Sequence, residues 1–97
     1  MTGWLVPSLP QAKLALQRAL ASGRVLVRAH ATEEKSGLRR YSEIEVLAEL
    51  EVASDSGDVD HNRSARGRFI AYGVELAISF EVVAPNVIVV TVFEQGG

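Results

Sequence analysis

Three short runs rich in β-branched residues fill the C-terminal third of the chain, and they constrain the fold more than any other feature. The runs span residues 68–74, 76–83 and 87–93, with turn-forming sequence around Gly73 and at Ala84-Pro85-Asn86. Runs of this length joined by tight connections predict an antiparallel meander. The last run is apolar at both alternating sets of positions, so we expect it to lie inside the sheet with both of its faces covered.

Two helices are predicted ahead of these strands. Ser8 and Gln11 fit a capping box at the start of the first helix, and Gly23 suits its end. Ser42 and Glu45 form a second capping box, which begins another helix. The apolar stripe of that second helix is predicted to contain Ile44, Leu47, Ala48 and Leu50.

The sequence between and after these helices completes the predicted order. Residues 25–30 alternate as a strand, and residues 32–36 have the composition of a short helix closed by Gly37. The polar stretch 53–64 is either a loop or a frayed edge strand. The order is then α-β-α-α-β-β-β in a single domain spanning residues 1–97. It predicts a two-layer α+β fold, with the helices packed on one face of a small curved antiparallel sheet.

Composition excludes several classes of function. The chain has no cysteine, which removes disulfides, thiolate metal sites and cysteine nucleophiles. Its histidines, His30 and His61, do not form a metal-binding motif, and no glycine pattern fits a phosphate-binding loop. No apolar run approaches the roughly 18 residues that would span a bilayer. We therefore expect a cytoplasmic protein with no metal, no cofactor and no membrane association.

Charge is segregated along the sequence although the net charge is only −2. Residues 41–60 carry seven acidic and no basic side chains, whereas residues 61–73 carry three arginines. The basic stretches on either side of the acidic one could meet in space as a positive patch. Solvated charges scattered over the surface are the alternative.

Histidine, arginine and tyrosine side chains are sufficient for metal-independent RNA cleavage. This chemistry needs a proton acceptor, a proton donor and cations that stabilise the charge developing on phosphorus. Alternation places Arg66, Arg68 and Tyr72 on one strand face, and Arg28 with His30 on one face of the earlier strand. The candidate catalytic residues are His30, Arg68 and Tyr72, and the candidate RNA-binding residues are Arg28, Arg63 and Arg66.

Three segments resemble the RelE-like superfamily of small bacterial toxins, on the branch related to BrnT and MqsR. They are the join at residues 27–31, the helix at 42–47, and the C-terminal strands at 66–73 and 87–94. The resemblance implies a RelE-like fold and the toxin of a type II toxin–antitoxin system, a metal-independent endoribonuclease. Its partners would be RNA, mRNA above all, and a cognate antitoxin. A non-catalytic interaction module, such as a degenerate toxin or an immunity or antitoxin-type protein, stays open because the chain is acidic.

Overall fold

The protein has an α+β fold of two helices and a five-stranded sheet in the part of the chain that the structure, a computed structural model, describes: residues 6–28 and 41–95. The predicted short helix at 32–36 lies outside these residues. Neither helix has the length and apolar character needed to cross a membrane. In chain order the elements are α1 (Leu9–Ser22), β1 (Val25–Val27), α2 (Glu43–Ser56), β2 (Val59–His61), β3 (Phe69–Tyr72), β4 (Leu76–Val83) and β5 (Asn86–Glu94).

Both predicted capping boxes are present. The Ser8 hydroxyl accepts the N–H of Gln11 at 3.2 Å, and the Gln11 side chain accepts the N–H of Ser8 at 2.8 Å. Ser42 and Glu45 make the same pair of bonds at the start of α2. Each helix ends at a glycine in the left-handed conformation, Gly23 for α1 and Gly57 for α2. Helix α2 therefore extends to Ser56, into the stretch predicted to be a loop or an edge strand, and the edge strand β2 follows it.

The sheet is mixed rather than antiparallel, with the strand order β1-β5-β4-β3-β2. Strands β3 to β5 form the predicted antiparallel meander, and the edge strand β2 pairs antiparallel with β3. Strand β1 pairs in parallel with β5, with Val25 opposite Val87, so the prediction of an antiparallel sheet is wrong for this pair. The parallel pairing is possible because α2 and the whole meander connect the two strands, which gives the chain the length to return in the same direction. Four strands follow α2 in the described residues, where the predicted order has three, because the edge strand β2 precedes the meander.

The core lies between the two helices and one face of the sheet. Leu16 of α1 and Leu50 of α2 pack against Phe69, Ile78 and Phe80. The buried residues of α2 are Val46, Leu50 and Ala53.

The predicted apolar stripe of α2 is therefore wrong at two positions. Ile44 is 80% exposed and Ala48 is exposed, whereas Leu50 is buried as predicted and Leu47 is partly buried. Helix α2 carries apolar residues around most of its circumference, so periodicity alone does not identify the side that packs against the sheet.

The second face of the sheet, which we term the open sheet face, is formed by the side chains that alternate with the core residues. The helices contribute to the core on the other face. The open sheet face contains the cross-strand rows Leu26–Ile88–Glu81, Ile70–Ser79–Thr91 and Tyr72–Ala77–Phe93. The prediction that the last strand is covered on both faces is wrong at Phe93, which is 41% exposed.

Candidate functional site

Two of the predicted catalytic residues, Arg68 and Tyr72, lie on the open sheet face. Arg68 immediately precedes β3 and Tyr72 ends it, and the strand alternation places both on the same side as Ile70. Arg66 does not share this face, contrary to the prediction. It lies in the turn before β3, where the N–H of Arg68 bonds to the carbonyl of Ala65 at 3.2 Å, so the alternation does not extend back to it.

The guanidinium of Arg68 is already paired. Its Nε donates to Oε2 of Glu81 at 3.0 Å, across the β3–β4 pair. Phe69 lies opposite Phe80, so the next positions outward, Arg68 and Glu81, are neighbours in the same register. A phosphate that approaches Arg68 therefore meets a carboxylate beside it, and the net charge of the pair is zero.

Tyr72 lies in an apolar environment. It is 39% exposed and faces Ala77, which in turn faces Phe93. Its hydroxyl makes no hydrogen bond within residues 6–28 and 41–95. Since no polar group of these residues orients the hydroxyl, nothing in this part of the chain marks it as a proton donor.

Arg28, Arg63 and Arg66 do not join Arg68 and Tyr72 on this face. Arg28 follows β1 and donates its N–H to the carbonyl of Val89 at 3.4 Å. Strands β5 and β4 separate β1 from β3, which places Arg28 about 14 Å from β3 across the sheet. Arg63 and Arg66 are exposed in the turn between β2 and β3. His30 lies outside the described residues.

Glu81 was not identified from the sequence as the partner of Arg68. Leu26 and Phe93 were also not identified as exposed apolar side chains of the open sheet face. The signal for Glu81 was present, because a tight connection between two predicted strands fixes which residues face each other. Counting outward from the turn at residues 73–75 places position 68 opposite position 81. The exposed position of Leu26 depends on the pairing of β1 with β5, for which the sequence has no local signal.

Carboxylates cluster at the other end of the β3–β4 hairpin, where they have structural partners. Glu49 accepts hydrogen bonds from the backbone N–H groups of Glu75 and Leu76 at 3.0 and 2.9 Å. The buried hydroxyl of Tyr41 donates to Glu94. In the described parts of the chain, no three histidine or acidic side chains form a group that could hold a metal ion.

Comparison with protein-family models, with curated proteins and with solved structures finds no match to this chain.

Proposed function

We propose that this protein is a non-catalytic interaction module that binds a partner protein through its open sheet face. The observation that carries the proposal is the exposure of large apolar side chains on that face: Leu26 is 51%, Phe93 41% and Tyr72 39% exposed. Tyr72 and Phe93 flank the buried Ala77 at one end of this face, and Leu26 lies at its other end. Exposed apolar side chains on one face are typical of protein-binding surfaces, because their burial in a complex is favourable.

The pairing of Arg68 with Glu81 also supports protein binding over RNA binding. An RNA phosphate would have to displace or tolerate the Glu81 carboxylate, which lies 3.0 Å from Nε of Arg68. A protein surface can instead contact the neutral pair as it stands, with the apolar side chains around it. The resemblance to RelE-like toxins adds the expectation that the partner is encoded beside this chain, as an antitoxin or a related protein of the cytoplasm.

Co-purification of the tagged protein with the product of the adjacent reading frame tests this proposal. Phe93→Ser should abolish co-purification, because it places a hydroxyl where an apolar contact is expected. Ile44→Ser is the matched control, since Ile44 is 80% exposed but lies on α2, which packs on the opposite face of the sheet. Equal recovery of the partner by wild-type protein and Phe93→Ser would refute the proposal.

A metal-independent endoribonuclease acting on mRNA is the second candidate function. It is favoured by Arg68 and Tyr72 on one face of β3, with Arg63 and Arg66 in the turn that leads into it. If the protein is an active toxin, its induced expression should arrest growth. Cells that express the folded Arg66→Ala, Arg68→Ala double variant should grow normally. Normal growth with wild-type protein, together with intact RNA after incubation with the purified protein, would exclude this function.

A further inference from the structure

The two edge strands of the sheet, β1 and β2, differ in the hydrogen bonds that their outward-facing backbone groups make. At the β2 edge, the N–H of Tyr72 in β3 bonds to the carbonyl of Asp58 just before β2, and the N–H of Asn62 just after β2 bonds to the carbonyl of Arg68. This pattern turns the backbone groups of Val59 and His61 away from the sheet. Both of those N–H groups are nevertheless bonded within the chain.

The partners of these two N–H groups lie next to them in sequence. Val59 donates to the carbonyl of Gly57 at 2.9 Å, and His61 donates to Oδ1 of Asp60 at 2.7 Å. The donors that another strand would need are therefore occupied, and a charged side chain is positioned on the edge. Both features protect an edge strand from pairing with a further chain.

Among residues 6–28 and 41–95, nothing protects the edge of β1 in either way. The carbonyl of Arg24 accepts from Val87, and the N–H of Arg28 donates to Val89, so alternation turns the backbone groups of Val25 and Val27 outward. No hydrogen bond from the described residues satisfies the outward N–H groups of Val25 and Val27. Strand β1 contains only valine and leucine, and it therefore presents an uncharged template for strand addition.

Charge around β1 indicates the chemistry of the added strand. Exposed arginines, Arg24 and Arg28, flank the strand, and residues 6–28 contain no acidic side chain. Arg24 and Arg18 also line a cleft of about 310 Å³ between α1 and the β4–β5 turn, and no carboxylate is among its lining residues. A strand with acidic residues on either side of an apolar centre would complement this arrangement.

A second copy of the chain fits this edge poorly. Antiparallel pairing of two β1 strands about Leu26 would place Arg24 of one copy opposite Arg28 of the other. Like charges directly opposite each other on paired strands are destabilising. The charge pattern therefore favours a different polypeptide.

We propose that the free edge of β1 accepts an extended segment of a partner protein as a sixth strand, with acidic residues flanking an apolar centre. Backbone hydrogen bonds to Val25 and Val27 provide the affinity, and ion pairs with Arg24 and Arg28 provide the selectivity. The inference rests on the proposed interaction function and names the chemistry of the partner. The added strand would extend the open sheet face beside Leu26.

A synthetic peptide tests the inference directly. The probe is acetyl-Thr-Glu-Val-Thr-Val-Glu-Thr-amide, in which the two Glu residues are four positions apart, as Arg24 and Arg28 are. Its counterpart carries Lys in place of both Glu residues. In NMR titrations of the isotope-labelled protein, the Glu peptide should slow hydrogen exchange at the amides of Val25 and Val27. It should leave the amides of Val59 and His61 unchanged, and it should bind more tightly than the Lys peptide.

Proline substitutions provide matched variants at the two edges. Val27→Pro removes an outward N–H without removing a bond to β5, a position at which edge strands tolerate proline. It should weaken binding of the Glu peptide about tenfold, through loss of a hydrogen bond and of the strand geometry. His61→Pro makes the same change at the protected edge and should have no effect. Thermal unfolding verifies that both variants are folded.

A charge reversal keeps the inference testable if Val27→Pro does not fold. The Arg24→Glu, Arg28→Glu double variant should prefer the Lys peptide to the Glu peptide. Equal binding of the two peptides by wild-type protein, protection at Val59 and His61 instead of β1, or concentration-dependent dimerisation through β1 would each overturn the inference.

The proposed function and this inference fail in different ways. If Phe93→Ser loses the partner protein while Val27→Pro retains it, binding through the open sheet face stands and strand addition at β1 is wrong. If the Glu peptide binds at β1 but Phe93→Ser still recovers the partner, the β1 edge stands and the proposed role of the open sheet face is wrong.

Discussion

One carboxylate shows how a single residue positions an element of this fold. Glu49 on α2 holds the β3–β4 connection through the N–H groups of Glu75 and Leu76. Gly73 leaves room for this approach, because a Cβ atom there would lie 2.9 Å from the Cβ of Glu49 and closer still to its carboxylate. The glycine is required by the approach of a side chain and not by a backbone torsion.

Gly73→Ala should lower the free energy of unfolding by about 2 kcal/mol, because it displaces Glu49 and leaves two N–H groups without a charged acceptor. Glu49→Ala should lower the free energy of unfolding by a similar amount. The double variant should lose little more than either single variant, because all three variants lose the same contact. Urea denaturation measures these values. Additive effects in the double variant would show that Gly73 and Glu49 act independently.

The pairing of Arg68 with Glu81 determines how that arginine interacts with nucleic acid. Glu81→Gln preserves the shape of the side chain and removes its charge, so Arg68 becomes free to contact a phosphate. The plot of log affinity against log salt concentration for single-stranded RNA should steepen by about 0.7, the contribution of one added contact. Fluorescence anisotropy at several salt concentrations measures this slope.

Glu75→Gln is the control for that experiment, because it removes the same charge at the other end of the hairpin and should leave the slope unchanged. Stability should change by less than about 1 kcal/mol in Glu81→Gln, since partly exposed ion pairs contribute little. An unchanged slope in Glu81→Gln would mean that Arg68 does not reach RNA even when it is unpaired.

At the scale of elements, the ends of the helices were predictable and their packing sides were not. Ser8, Ser42 and the two terminal glycines act within a turn of the residues they cap, so the sequence alone contains the relevant interactions. The packing side of α2 depends on where the sheet lies, and apolar residues occur on most sides of that helix. The sequence therefore predicted Leu50 correctly and Ile44 wrongly.

Alanine substitutions distinguish the two interpretations of α2. Leu50→Ala removes a fully buried side chain and should cost about 3 kcal/mol of stability, within the range for leucine in a core. Ile44→Ala should change stability by less than about 0.5 kcal/mol because Ile44 is 80% exposed. Thermal and urea unfolding of the two variants provide the comparison. A large loss of stability in Ile44→Ala would support the apolar stripe that the sequence predicts for α2.

At the scale of the whole molecule, local signals predicted the β3–β5 meander in outline, whereas the pairing of β1 was determined by contacts between distant parts of the chain. The turns at Gly73 and Pro85 join strands that are adjacent in sequence, and such strands usually pair. Strand β1 pairs with β5 at the far end of the sequence, and its sequence pattern contains nothing that specifies this partner. The same distinction applies to the candidate site. Arg68 and Tyr72 could be placed on one face from the alternation of a single strand, whereas the distance of Arg28 from them is determined by the strand order.

Amide hydrogen exchange should report this architecture across the whole sheet. Strands β4 and β5, the longest and each paired on both sides, should contain the slowest amides, and the edge strands should exchange faster because they open without global unfolding. Between the two edges, the outward amide of His61 should show a protection factor about tenfold higher than that of Val27, since only His61 donates to a carboxylate. Asp60→Ala should remove that difference and leave Val27 unchanged. Equal protection of the two outward amides in the wild-type protein would mean that the β2 edge is as open as the β1 edge.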